Sequence, residues 1–531
     1  MSTIFSGPCD ENIIRAAPTR STCSKAQGRW ILAATILASS MAFIDGTVVN
    51  VALPALQSNL NATAVDVQWV IEAYALLLSA FLLVGGSLGD HYGRRRIFLI
   101  GVTIFAIASA ACGFAANVAQ LIGARALQGF GAALLVPGSL AIISNSFSEK
   151  ERGRAIGTWS GFSAITAGIG PLLGGWLIEH VSWRAVFFIN LPIALFVVLI
   201  SLRHVVETAD RDRDRIDWFG AILAVLGLGA LVYGLIESSR LGFGDPRVMT
   251  GLIAGGGLLI AFLFFESRSP HPMLPLALFG VRMFAGTNVL TFLLYAALGG
   301  TLFFLPLNLI QVQHYSPTAA GAALLPFILI MSVLSRWSGG LVTRYGPRLP
   351  LMIGPLVVAI GYLLFILPNA GGNYWTTFFP AVVALGLGMA ITVAPLTTAV
   401  MNSVPQTRAG VTSGVNNAVA RTAGLIAIAI LGMVMLHVFK ARLDRALEES
   451  PVPASVRNSI GAQSNRLAAI EVPQETDSQE AIHRAIGQSF VFGFRAVMLI
   501  GAALAVGGSL TGFIFIVSPK RNSGSFSSTN A

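Results

Sequence analysis

The hydropathy of this chain is a series of long apolar runs separated by short polar connectors. About fourteen runs reach the roughly 20 residues that a helix rising 1.5 Å per residue needs to cross a hydrocarbon layer about 30 Å thick. They fall near 30–54, 67–89, 97–116, 121–144, 155–178, 184–202, 217–236, 248–266, 284–310, 318–341, 349–368, 375–399, 410–436 and 488–516. Inside a bilayer the backbone must satisfy its own hydrogen bonds, so each run predicts a helix and the fold class is all-α, a polytopic membrane protein. Residues 1–28 are polar and broken by Pro8 and Pro18, which predicts a disordered cytoplasmic tail. The segment 437–487, before the last run, reads as a solvated external loop, with an amphipathic surface helix around Val438 to Leu447 as the alternative.

Composition agrees with this pattern. The 531 residues have a mean hydropathy of +0.74 and only 11% charged side chains, against about 25% in an ordinary soluble domain. A net charge of +10 would suggest nucleic acid in a soluble chain. Here the basic residues sit in connectors, so no nucleic-acid role follows. With the N-terminus inside, one face collects about 21 Lys and Arg: the tail, Arg94 to Arg96, Lys150, Arg152, Arg154, Arg203, Arg211, Arg213, Arg215, Arg268, Arg282, Arg344, Arg348, Arg408, Lys520 and Arg521. The short loops of the other face hold about 3, which puts both termini in the cytoplasm. Cys9, Cys23 and Cys112 have no metal or redox spacing, and no lysine completes a phosphate-binding glycine loop. No cofactor, metal or ATP site is therefore expected, and an ion gradient or the substrate's own gradient must drive any transport.

The connectors also carry an internal repeat. GSLGDHYGRRR (Gly86 to Arg96), after the second run, is echoed by GGLVTRYGPR (Gly339 to Arg348) after the tenth, with Thr343 standing where the first copy has Asp90. Matching positions result if two six-helix halves flank an inserted pair, an arrangement that places a binding site between the halves. The expected division is 1–28 tail, 29–203 first bundle, 204–283 linker with two extra helices, 284–517 second bundle including the 437–487 loop, and 518–531 tail.

Acidic residues are unevenly distributed. None lies between Glu266 and Asp444, and only Asp45 and Glu72 are well embedded in a run. Taking the membrane boundaries near Pro54 and Asp66, Asp45 lies about 13 Å and Glu72 about 9 Å below the outer boundary, so the two are expected to share one wall. A carboxylate at such depth costs roughly 2.5–3.5 kcal/mol to insert, so a functional role is the default. A packing contact is the alternative for Asp45, and an interfacial acid is the alternative for Glu72. Two cations are also embedded. Arg125, with Gln128 and Gly129 on the same helical face, either points into the bundle or snorkels to the interface. Arg421 either meets an anionic substrate or caps helix carbonyls. Both acids together lean toward cationic substrates. In the fifth run, Gly157/Gly161, Ala164/Gly168 and Gly170/Gly174 form a smooth ridge beside Pro171. In the second connector, Asp90 is expected to accept from the first amides of helix three or from a basic partner.

Taken together, IDGTVVNVALP (Ile44 to Pro54), GSLGDHYGRRR, RALQGFG (Arg125 to Gly131), GIGPLLGG (Gly168 to Gly175) and WRAVFFINLP (Trp183 to Pro192) resemble the major facilitator superfamily. The similarity is specifically to its fourteen-helix drug:proton antiporter branch, the multidrug efflux permeases. The resemblance implies a carrier of the inner or plasma membrane, not an enzyme, that exchanges protons for a small amphipathic substrate by rocking its halves. A proton-coupled importer or facilitator is the alternative. It further implies proton coupling or substrate contact at Asp45, Glu72 and Arg125, a gate at Asp90, Gly93 and Arg94, and an antiporter hinge at Gly170, Pro171 and Gly174. Asn50, Gln128 and Arg421 become candidate substrate contacts. The expected partners are substrate, protons and the lipid bilayer, joined in a Gram-negative host by a periplasmic adaptor.

Overall fold

The computed structural model describes residues 25–516 apart from 148, 210–216, 271, 273, 405–408, 450–451 and 473–478. The tails expected at 1–28 and 518–531 lie outside the described residues, except for 25–28, as does Arg408. Fourteen main helices follow one another: α1 (Lys25–Leu60), α2 (Ala64–Tyr92), α3 (Arg94–Phe114), α4 (Val118–Ser146), α5 (Glu149–His180), α6 (Asn190–His204), α7 (Trp218–Leu241), α8 (Pro246–Arg268), α9 (Arg282–Leu307), α10 (Leu325–Tyr345), α11 (Arg348–Leu364), α12 (Phe379–Asn402), α13 (Ala409–Glu448) and α14 (Gln479–Phe515). Thirteen helical segments among the described residues are long and apolar enough to cross a membrane, and α11 is a shorter apolar helix of 17 residues.

Packing reproduces the repeat seen in the connectors. In the first set α1 packs on α5 and α6, α4 on α2 and α3, and α3 on α6. In the second set α9 packs on α13 and α14, α12 on α10 and α11, and α11 on α14, the same scheme moved eight helices along. The two echoed turns also match in backbone. Gly93 and Gly346 adopt φ of 108° and 74°, the left-handed region that favours glycine, and each donates its N–H to the carbonyl four residues back. Small residues let these helices close: a methyl group added at Gly131 of α4 would lie 2.7 Å from the backbone nitrogen of Phe105 in α3.

The inserted pair α7 and α8 pack on each other, and α7 lies against both α2 and α13. On the other side of the molecule the halves meet through α5 and the stretch 317–345. At the end where α1 turns into α2, hydrogen bonds join the halves. Gln311 Nε2 donates to Gln57 Oε1 (2.7 Å), Gln68 Nε2 to the Ile428 carbonyl (2.9 Å) and the Thr318 N–H to Glu179 (3.2 Å). The 437–487 segment is more ordered than a solvated loop. α13 runs on to Glu448, a helix covers Ala454–Ala462, and Leu443, Leu447, Ile460 and Leu467 are buried in the main core. At 1.5 Å per residue the 40 residues of α13 measure about 60 Å, twice the bilayer core, so roughly half of it projects beyond the membrane.

Candidate functional site

The site forms where α1, α2 and α4 meet. Gly129 lets α4 approach the Tyr74 backbone of α2, where a methyl group would sit 2.9 Å from the Tyr74 carbonyl carbon. That approach brings Arg125 and Gln128 of α4, one turn apart on the same face, against Asp45 of α1. Asp45 is fully buried and its two oxygens are divided between two donors. Arg125 Nη1 donates to Oδ2, and Gln128 Nε2 donates to Oδ1 at 2.8 Å. Arg125 Nη1 also reaches Gln128 Oε1 (2.8 Å), Arg125 Nε donates to the Val70 carbonyl (3.1 Å), and the guanidinium lies 4.2 Å from the centre of the Tyr74 ring. Tyr74 is held in turn by its hydroxyl, which donates to the Ala42 carbonyl at 3.2 Å. Arg125 is 1% exposed, so it points inward and does not snorkel.

Glu72 lies elsewhere. It shares a helical face with Gln68, Trp69 and Leu76, and these three reach α13 through Ile428 and α7 through Glu237 and Leu228. It is fully buried, and neither carboxyl oxygen has a hydrogen-bond partner among the described residues. The wall expected to hold both acids is thus split: Asp45 faces α4, and Glu72 faces the junction of α2, α7 and α13. Asn50 donates to the Gly46 carbonyl of its own helix at 3.5 Å. Arg421 of α13 is half-buried and has no hydrogen-bond or ion-pair partner among the described residues. It lies within electrostatic reach of Tyr74 across the interface and of Tyr295 in α9. On the same helix as Arg421, Asn416 Nδ2 donates to Asn288 Oδ1 (3.1 Å) and Thr291 Oγ1 (2.7 Å) of α9. Sequence reasoning passed over this polar cluster, although Thr287, Asn288 and Thr291 stand out in the apolar run of α9.

At the α2–α3 turn, Asp90 pairs with Arg94 (2.7 Å). The first amides of α3 are served by a different acid. Glu207, in the linker after α6, accepts from the N–H groups of Arg95 and Arg96, both at 3.0 Å. In α5, added methyl groups at Gly170 and Gly174 would run into Thr47 and Val48 of α1, and at Gly175 into the Pro317 carbonyl. The Pro171 carbonyl in turn faces Gly321. Gly157 and Gly161 face open space, so only the later part of the glycine ridge is a helix contact. No group of three or more His, Cys, Asp or Glu able to hold a metal occurs among the described residues.

Residues 35–428 match the family model for the Major Facilitator Superfamily. The multidrug resistance protein Stp of Mycobacterium tuberculosis is 33% identical over 485 residues, covering 89% of each chain. The tetracenomycin C resistance and export protein of Streptomyces glaucescens is 35% identical over 408 residues, covering 76% of this chain and 75% of that one. Among solved structures, a bacterial homologue of the human lysosomal transporter Spinster, inward-facing and unoccupied, superposes with a TM-score of 0.63 at 18% identity, covering 93% of this chain and all of that one. The family model spans most of the chain, the two relatives align along 89% and 76% of it and the fold is shared, so the chain belongs to the Major Facilitator Superfamily and is a transporter, not an enzyme.

Proposed function

We propose that this transporter exports small amphipathic molecules in exchange for protons by alternating access, from the inner or plasma membrane, with both chain termini in the cytoplasm. The observation that carries the reading is the buried cluster of Asp45, Arg125 and Gln128. A carboxylate sealed from water and matched by one guanidinium changes its partners when it takes up a proton: neutral Asp45 releases its hold on Arg125, and α1 and α4 are free to shift. Asp45 is then the proton site and Arg125 its electrostatic modulator. Glu72, buried without a partner at the α2–α7–α13 junction, is a second group able to take part in proton exchange when that seam parts.

In this reading residues 29–203 and 284–517 are the two moving bundles and 204–283 is the linker with the inserted pair. With both termini inside, the joined end faces outward, and Gln57, Gln68 and Glu179 keep the outer door shut. Gly170, Pro171 and Gly174 are the pivot on α1, and Asp90, Gly93 and Arg94 latch the cytoplasmic end. The relatives, named for drug resistance and export, support the outward direction.

The test is uptake into inverted membrane vesicles energised to an acidic interior. Substrate should accumulate, and nigericin, which collapses the pH difference, should abolish accumulation. Depletion of substrate from the vesicles would indicate an importer, and uptake indifferent to nigericin would remove the proton from the mechanism.

A further inference from the structure

A cavity outside the Asp45 site opens at the joined end of the bundle. Its walls are the turn after α9, the loop between α11 and α12, the far end of α13 and the first turns of α14. Gln311, which bonds Gln57 across the halves, is part of the wall. The volume is about 880 Å³, within the roughly 300–1,000 Å³ of small-molecule sites. The lining is strongly basic: Arg442, Arg484, Arg495, His314 and His483 stand against one acid, Glu480. Arg484 takes that acid at 3.7 Å. Arg442 lies 5.9 Å from the centre of the Phe492 ring. Arg495 is held by neutral acceptors, its Nη2 donating to Asn369 Oδ1 (2.7 Å) and the Pro368 carbonyl (3.3 Å), while its Nε is buried without a hydrogen-bond partner among the described residues. Two guanidiniums from two helices therefore line the cavity with no carboxylate partner among the described residues.

The run of α14 fixes the depth of this cavity. At the other end of that helix Arg282 and Arg348 donate to the Ile514 and Phe513 carbonyls (2.6 and 3.0 Å), as cations do at a membrane boundary. From Phe513 back to Arg495 the helix rises about 27 Å, close to the roughly 30 Å of a hydrocarbon core, so Arg495 stands at the headgroup level of the opposite leaflet. Phe492, Arg495 and Leu499 share one face of α14, and Phe492 and Leu499 are exposed. α11 packs on α14, and Leu363 and Leu367, at and just beyond its end, are exposed too. The basic cavity thus borders an apolar surface of the kind that faces lipid chains.

We propose that this cavity receives the phosphate of an anionic phospholipid from the leaflet at the joined end, with Arg442 and Arg495 on the head and the acyl chains along the exposed face of α14. The site needs only the membrane setting and stands apart from proton-coupled export. A phosphodiester offers more acceptor lone pairs than one guanidinium fork fills, which suits two arginines. A zwitterionic head would carry an ammonium into the same basic wall. A soluble anion would leave the apolar border unused.

The probes are dioctanoyl phosphatidylglycerol, dioctanoyl phosphatidylcholine and glycerol phosphate, each titrated into the intact transporter in neutral detergent micelles and counted by native mass spectrometry. Phosphatidylglycerol is expected to bind at least about tenfold tighter than phosphatidylcholine. Arg442→Gln and Arg495→Gln should each weaken it about fivefold, the effect of one arginine at an anionic surface, and the double variant should bind both lipids alike. Arg495→Lys, which keeps the charge, should retain most of the preference. Arg442 is exposed, so its variant tests the site without disturbing the core, and Arg344→Gln, an exposed charge at the other end of the bundle, should change nothing. Equal binding of the two lipids, a preference that survives the double variant, or an equal loss from Arg344→Gln would each overturn the proposal. Glycerol phosphate binding as tightly as the lipid would overturn it in favour of a soluble anion. Vesicle uptake does not enter this readout, so failure here and failure of the export reading are distinguishable.

Discussion

Neutralising Asp45 should cost the protein stability, and removing Arg125 as well should restore most of it. In Asp45→Asn the side chain keeps its shape, but the carboxyl oxygen that accepted from Gln128 becomes an amide facing another amide donor. Arg125 keeps the Val70 carbonyl, Gln128 Oε1 and the Tyr74 ring, yet no negative charge remains beside it. Leaving one member of a buried ion pair without its partner costs about 3–5 kcal/mol. Arg125→Gln strands Asp45 in the same way, although a carboxyl can relieve itself by taking a proton, so the lower end of that range applies. The double variant Asp45→Asn/Arg125→Gln holds two neutral amides able to bond each other and Gln128, and replacing both charges is often close to neutral. The cycle should therefore show a coupling of about 3 kcal/mol or more, measured from unfolding in mixed micelles and checked by the amount of folded protein in the membrane. Transport should not follow stability. If Asp45 is the proton site proposed above, the double variant should recover membrane level but not pH-driven export. Single effects that add to within about 0.5 kcal/mol would refute the reasoning, since they would mean that the two side chains do not feel each other.

Two further outcomes test the contacts at the ends of the bundle. Glu207→Gln removes the charge that accepts from the first amides of α3 and should destabilise the α2–α3 turn by about 1 kcal/mol, seen as faster proteolysis of the 205–217 linker; its ion pair with Arg95 is long and half-exposed and adds little. Gly175→Ala places a methyl group 2.6 Å from the Pro317 carbonyl carbon, a backbone clash worth about 1–3 kcal/mol against the sealed end. It should therefore raise labelling of Thr318→Cys by an impermeant maleimide several-fold, and unchanged labelling would show that this contact does not hold the door.

The helices were legible in the sequence because the bilayer admits few alternatives: an apolar run with satisfied backbone is a helix, and the count follows. The α2–α3 turn and its echo between α10 and α11 were legible because Gly93 and Gly346 are needed at positive φ, a local requirement that leaves a residue-type signature. Arg125 and Gln128 were visible as one face of α4 because 3.6-residue periodicity is also local. Partners on other helices were not legible, because they depend on how helices are rotated against one another. Of the two partners expected for Asp90, the basic one, Arg94, is near in sequence and is the one it takes, while the amides of α3 go to Glu207, which arrives from a linker more than a hundred residues away. Glu72 and Asp45 have similar depths, yet depth says nothing of azimuth, and a helix facing two neighbours can turn one acid to each. Before α14 the mixed composition favoured a solvated loop over a helix around Val438 to Leu447; the stretch is helical as the end of α13, and Leu443, Leu447 and Ile460 gain their burial only from the core beneath them.

The inserted pair bears on how such a machine can move. On one side of the molecule the halves touch through α5 and the 317–345 stretch, and nothing from 204–283 is needed there. On the other, α7 rests on α2 from the first half and α13 from the second, with Trp69 Nε1 donating to Glu237 at 3.2 Å and Leu76 packed in the same cluster as Leu228 and Leu425. A rocking motion that separates α2 from α13 cannot keep both contacts. In the proposed alternating-access reading, the hydrogen bond to Trp69 favours α2 as the partner that α7 follows and the apolar contact with α13 as the one that slides. The hinge would then be asymmetric, with buried Glu72 on the same α2 face as Gln68, whose bond to the Ile428 carbonyl would break as α13 moves away.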